Sequence, residues 1–437
     1  MAGDKECRSW RCRLGASRRA VRWSGLEALE SRLVLAAVSW DGGGNGTSWE
    51  DPLNWSTNTL PAAADDVTID VAANPAITLS SGIRSVHSLV LAEALTITGG
   101  TLAVTTTAAA SAVLTVNGGT IAGGVWDLAG GLIRAGSSTA STLSGVGVTG
   151  EISLPGGANL RISGGITLSA SSVIRLAGSA SNSLGFVGST TLAAGSILFE
   201  NSAGLGFAGM VGTGVLTLGP AVTVSGGRGV IGQNVFSAGN AGLVNQGAIS
   251  ANTAGTTLTI NTSGAGVFAN SGSLSATGGG LLAVSPATWS SSGSISASAG
   301  STAALTGGWS STGAINVDGG TLTLGGSFAR ASLSGLVRTG GSMNLTGTLN
   351  NSGGTLMLSA ATGPLALAGG TISGGSIVQS GGGVLVPGVS TLSTLNGVIV
   401  QGDLVLDSNA NLRLAGSSGM ATGSSLRLGG SGGNTLA

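Results

Sequence analysis

After Glu93 the chain carries six acidic side chains, Asp127, Glu151, Glu200, Asp318, Asp403 and Asp407, and any acid–base or calcium chemistry must be built from them. Glycan hydrolysis or elimination needs two carboxylates in different environments, or carboxylates gathered around a cation. Asp127 and Glu151 lie about one repeat apart and would stack on neighbouring turns of a repeating fold, while Asp403 and Asp407 share one face of a strand. Isolated acids of this kind ordinarily face solvent and discourage edge pairing. His87 is the only histidine, and alternation through Val86, His87, Ser88, Leu89, Val90 and Leu91 places it with the leucines, in or near the core. With no tyrosine and a single lysine, Lys5, little remains to position a proton. The expectation is no catalytic residue, no cofactor and no metal.

Two motifs match by form alone. Gly429 to Gly433, centred on Ser431, fits G-x-S-x-G, and Gly204 to Gly209 fits G-x-G-x-x-G, but neither has the strand-to-helix context that gives those strings meaning. At 81 glycines such strings arise by chance. The segment Asp41 to Thr47 is rich in oxygen donors suited to calcium, yet it does not recur as calcium-binding nonapeptides do. Trp40, Trp49 and Trp55 offer rings for stacking on sugars, or alternatively a cover for the apolar end of a stacked fold. Threonine pairs at Thr257/Thr259 and Thr321/Thr323 suggest an ice-binding face, but the equivalent strand reads Leu281, Leu282, Ala283, Val284 and breaks the array.

The elements that would carry these residues are short strands. Charged residues are only 8% and aromatics 3%, while 42% of the chain is hydrophobic, too apolar for charge-driven disorder. No Gly-x-y period indicates collagen, and no apolar run is long enough for a transmembrane helix. Thr321 to Leu324, Thr257 to Ile260, Val215 to Leu218 and Asp403 to Leu406 alternate with period two, which puts their Leu and Ile on one face. Internal repeats organise the strands. A frame of large apolar residue, three spacers and Gly recurs at Leu243/Gly247, Phe268/Gly272, Trp289/Gly293 and Trp309/Gly313, with steps of 25, 21 and 20 residues. Such steps predict a right-handed parallel β-helix, a solenoid of two or three strands per turn, with glycine supplying positive φ at the turns and a narrow core that excludes aromatics. Residues 71 to 437 would give on the order of 17 coils at a ~4.8 Å spacing. The alternative is tandem β-sandwiches, which would need antiparallel hairpins. The expected organisation is a basic leader over 1–38, a Trp-rich N-terminal cap and first strands over 39–93, and Gly/Ser/Thr-rich repeats over 94–437.

Charge is uneven. Residues 1 to 35 hold eight basic and four acidic residues, and the remainder holds nine Arg against thirteen acids without any Lys, so no basic stripe exists for nucleic acid. Both cysteines, Cys7 and Cys12, are in the leader. The stretch ending in Leu33, Val34 and Leu35 is too short and too charged for an ordinary secretory signal. With Leu29, Glu30, Arg32 and Leu35 matching, it resembles the N-terminal LEPR-xLL segment of large exported bacterial proteins, although Ser31 stands for the Pro and Val34 for the first closing Leu. The body resembles the β-helical regions of bacterial adhesins and autotransporter passengers. Together these resemblances imply an extracellular or cell-surface, non-enzymatic adhesive protein whose partners are polysaccharide or neighbouring cell-surface components. The alternative is a carbohydrate-active β-helix enzyme, a lyase or hydrolase. It would require three of the charged residues to converge.

Overall fold

A computed structural model describes residues 36–138, 141–234 and 239–437. The export-segment residues Leu29, Glu30, Arg32 and Leu35 lie outside the described residues, as do Cys7 and Cys12. The body is a β-solenoid of about 17 stacked turns. One full turn runs through Ile83–Val86, Ser88–Leu91 and Leu95–Ile97, and the next through Thr101–Val104, Thr107–Ala110 and Val113–Val116. Each strand pairs in parallel with its counterpart one turn on, which builds three sheets, here called faces B, A and C in chain order. Among the described residues every strand ladder is parallel, and antiparallel contacts occur only as isolated bridges such as Trp40 with Trp55. Tandem β-sandwiches, whose sheets are antiparallel, are thereby excluded. The step from turn to turn varies from 18 residues, Thr107 to Val125, to 29, Gly229 to Leu258, and the variation falls in the connections.

Alternation decides what is inside. In Thr321–Leu324 the two leucines are buried and the threonines partly exposed, and the same pattern holds in Thr257–Ile260 and Leu281–Val284. Parallel stacking lines up the inward residues in columns, and early on face A a small side chain faces a large one. Ala108 lies directly against Trp126 in this way. Further along face A, Leu243, Phe268, Trp289, Trp309, Phe328 and Leu349 form one inward column. Its rings stack, with centroids 5.6 Å apart for Trp289 and Trp309 and 4.3 Å for Trp309 and Phe328. The narrow, ring-free core expected from composition is therefore corrected. Aromatics are few, but most of those described are used inside, where an offset stack adds about 0.5–1.5 kcal/mol per pair beyond burial. The indoles are satisfied, Trp289 Nε1 donating to the Thr306 carbonyl at 2.8 Å and Trp309 Nε1 to that of Gly325 at 3.0 Å.

Two residues after Leu243, Phe268, Trp289 and Trp309 sits a buried polar one, and Asn245, Asn270, Ser291 and Ser311 stack into a second column. Asn245 Nδ2 donates to Asn270 Oδ1 at 2.8 Å, and Asn270 Nδ2 to Ser291 Oγ at 3.0 Å. The frame glycines follow. Gly247, Gly272, Gly293 and Gly313 are not at positive φ; a Cβ on Gly272 would meet the Gly247 carbonyl oxygen at 2.0 Å, and one on Gly293 the Gly272 oxygen at 1.9 Å. At this corner glycine is required by the close approach of stacked backbones and not by turn geometry.

Stacking begins at Ala37–Ser39, which pairs with Asp66–Ile69 and through it with Ser88–Leu91. The same ladder continues across 93/94 into Thr107–Ala110. The ladders are interrupted three times among the described residues, on face B between Leu385–Pro387 and Leu404–Leu406 as well as on faces A and C. On face A no pairing joins 166–168 to 190–192, and on face C none joins Leu336–Arg338 to Thr355–Leu358. No helix among the described residues is long and apolar enough to cross a membrane.

Candidate functional site: an uncharged groove on face A

The chain turns from face B to face A through glycine in consecutive coils. Gly124, Gly145, Gly164 and Gly165 have φ between 63° and 85°, apart from Gly145 at 62°, the left-handed region where a side chain is strained. Stacked corners without side chains leave a channel along the solenoid axis. It runs past Thr105 and Thr106, Val125, Gly147 and Thr149, Thr167 and Ser169, and Ser189 to Thr191, five turns or ~19 Å at the usual strand spacing. The groove encloses about 800 Å³, and every residue lining it is uncharged. Val125, 57% exposed, supplies an apolar patch, backed by the buried Val146 and Val148. Thr149, Thr167 and Thr191 are exposed on successive turns, and their hydroxyls make no hydrogen bond to any described residue. The interruption of face A after 166–168 lies in this groove. An apolar strip flanked by free hydroxyls suits a ligand that also alternates C–H and O–H surface.

Further along the same face, outward positions form two polar columns. Ser327, Thr348, Thr371 and Thr394 make one, and Asn350, Ser373 and Asn396 the other. The first ends on the exposed Arg413, opposite Thr394, and the second contains no ionisable group.

The acidic residues fall elsewhere. Asp127 is on face A, opposite Ala109 and Thr149, whereas Glu151 is on face C, opposite Leu132 and Val173, so the two do not stack as expected. Glu151 lies one turn on from Asp127 and across the sheet-to-sheet corner that follows Thr149. Glu151 instead meets Arg175, whose Nε is 3.3 Å from its Oε1, and the other side of the same guanidinium bonds Glu200. Three charges do converge here, and sequence reasoning missed the cluster because Glu151, Arg175 and Glu200 align only once the register of face C is known. Both carboxylates are committed to one arginine, whose pKa is raised chiefly by the hydrogen bond to Glu200. The cluster does not line the groove. Asp403 and Asp407 both flank Leu404–Leu406 on its exposed side; Asp403 accepts from the Ser425 hydroxyl and amide at 2.7 and 2.9 Å, which lower its pKa.

His87 corrects its expected position. It occupies the corner between two strands, where alternation is broken, with Val86 and Leu89 buried and His87 itself partly exposed. Its Nδ1 lies 2.8 Å from Asp66 Oδ1, the same oxygen that accepts a 2.5 Å bond from Ser88 Oγ. Serine and histidine both address the carboxylate rather than each other, so no nucleophile–base pair is formed. The Ser88 and His87 bonds hold the Asp66 carboxyl below its usual range. Gly204 to Gly209 leads into the strand Gly206–Val211, not a helix, and Ser431 uses its amide to donate to Ser408 Oγ at 2.8 Å.

The oxygen-rich segment near Asp41 is closed by its own backbone. Asn54, fully buried, accepts from the amides of Gly44 and Gly46 at 3.1 and 2.8 Å, and Asn45 Oδ1 accepts from those of Thr47 and Ser48. Asp51 accepts from Asn45 and Leu53, and Asp41 from Gly43. These oxygens staple a loop. Among the described residues no group of three His, Cys, Asp or Glu could hold a metal ion. Trp40, Trp49 and Trp55, considered above for sugar contact, are 3%, 0% and 0% exposed, with Trp55 packed edge-on against the other two at 4.9 and 4.8 Å. A sugar ring has no open face to lie on, and the three indoles fill the first turn instead. Comparison with protein families, with curated proteins and with solved structures returns no match.

Proposed function

We propose that the protein is a non-enzymatic extracellular or cell-surface repeat protein that attaches to neutral polysaccharide, with the face A groove as its binding site. The observation that carries this reading is a five-turn groove lined by glycine, valine and free threonine hydroxyls without a charged group. A glycan lying along the axis would meet hydroxyls on four of the five turns and Val125 on the other, so weak contacts add through multivalency. The two polar columns beyond extend the same chemistry along the rod. The enzymatic alternative lacks support at this site, since an acid and a base with separated pKa values would have to line it. Export through the leader belongs to the same proposal, resting on the Leu29, Glu30, Arg32 and Leu35 resemblance.

Gly147 makes the site testable. A Cβ there would lie 3.4 Å from Val125 Cγ2, an ordinary contact at ordinary φ, so Gly147→Thr fills the groove floor without forcing the backbone. The purified chain and this variant are passed over neutral and acidic polysaccharides, with and without calcium, following retention and chain cleavage. Retention on a neutral glycan, reduced tenfold or more by Gly147→Thr at unchanged thermal unfolding, is expected. Cleavage abolished by substituting Asp127 and Glu151 would replace the proposal by the enzyme. Fractionation of cells expressing the intact chain, or one lacking residues 1–37, tests export; cytosolic retention of the intact chain would refute it.

A further inference from the structure

We infer that the interruption of face C is a second binding site, independent of the groove, which takes a medium-length alkyl carboxylate. Between Phe328 and Leu336 the chain makes a short 3-10 turn, Arg330–Leu333, and beyond it Leu336–Arg338 finds no partner strand on its far side. Faces A and B remain paired through this level, so the gap is a window in one wall of the solenoid. Behind it lies a cavity of about 190 Å³ lined mainly by Leu324, Leu333, Leu336, Met343, Leu356 and Leu365. An apolar cavity of ~150 Å³ already admits benzene-sized guests. Leu333 and Leu336 are only partly buried, so the core is reachable from outside at this point.

The mouth supplies the head-group preference. Arg330 lines the cavity, is exposed, and makes no ion pair or hydrogen bond among the described residues. Arg338 stands at an inward register position, opposite Val317 of the preceding turn, and bonds through Nε and Nη2 to the Gly341 carbonyl. A cation at a core register position is tolerated only because the adjoining strand is missing and the side chain can leave through the window. No acidic residue lines the cavity. An alkyl chain would enter the apolar space while its carboxylate meets the unpaired guanidinium of Arg330, a charge-assisted contact.

Octanoate, octanol and acetate are titrated into the full chain by calorimetry, and methionine-methyl spectra are recorded in parallel. Saturable binding of octanoate is expected, with shifts at Met343 and Met357 but not at Met210 or Met420. Acetate should not bind. Arg330→Gln, at an exposed position, should weaken octanoate at least tenfold and leave octanol unchanged; Leu336→Phe should weaken both. Absence of saturable binding, or octanoate binding that Arg330→Gln leaves unaltered, overturns the inference.

Discussion

Glycine plays two different roles in this chain, and substitutions separate them. Gly272 has no room for a methyl group, because the Gly247 oxygen lies 2.0 Å from the ideal Cβ position, so Gly272→Ala must push two turns apart. We expect a loss of about 1–3 kcal/mol or more in denaturant unfolding. Gly255, at φ 68° with nothing near it, carries only the left-handed strain, and Gly255→Ala should cost ~1 kcal/mol. Equal costs would show that the corner relaxes freely. A second residue-scale expectation concerns acid. Burial pushes the Glu50 carboxyl up, but hydrogen bonds from Ser80, Ser81 and Ser48 outweigh it, and its pKa is lowered. Its contribution is therefore fully present above the unfolded value of ~4.3 and is lost as pH falls through the lower folded value. Thermal unfolding of the native chain should weaken below that range, and Glu50→Gln should show a flatter dependence there. An unchanged slope would rule out Glu50 as a contributor.

At the level of the strand, inward and outward positions should differ sharply. Leu322 is 1% exposed and stacked between Ala303 and Met343, so Leu322→Asp buries an unpaired charge at a cost of about 3–5 kcal/mol. Thr323→Asp points out and should fall within ~0.5 kcal/mol. Chemical denaturation of both variants measures the contrast, and similar midpoints would refute the register. This alternation was legible directly, since period-two patterning in Thr321 to Leu324 needs no knowledge of neighbours. The frame from Leu243 to Gly313 was legible too, although its meaning was not. Alignment showed a large apolar residue recurring, but only stacking makes Phe268, Trp289, Trp309 and Phe328 one continuous column of rings. The groove was illegible for a related reason. Its turns near Thr105, Gly124, Gly145, Gly164 and Ser189 are unremarkable glycine and threonine, common throughout the chain, and become a channel only when irregular steps bring them into line. His87 was misplaced because alternation stops at a corner, and nothing local marks where one strand ends and the next begins.

Across the whole rod, each turn contacts chiefly its neighbours, with Asn234, which reaches two turns back to Ser183 and Leu184, an exception, so stability is largely a sum of turn and interface terms. The window in face C removes one of three ladders at a single level, which makes that interface the weakest of those around it. Hydrogen exchange should therefore show the strands from Ser342 onward opening at lower free energy than those between Thr257 and Leu324. Uniform protection across the window would contradict this. The tryptophans make such an opening visible by another route. Those described fall into two separate groups and one singleton: Trp40, Trp49 and Trp55 in the first turn, Trp126 among the early turns, and Trp289 with Trp309 ahead of the window. Indoles 5.6 Å apart and 16° from parallel couple their electronic transitions, and that coupling vanishes once adjacent turns slip. The near-ultraviolet circular dichroism of the pair, isolated by difference against Trp309→Phe, is thus an intrinsic optical gauge of registry at one place in the rod, readable without any attached label.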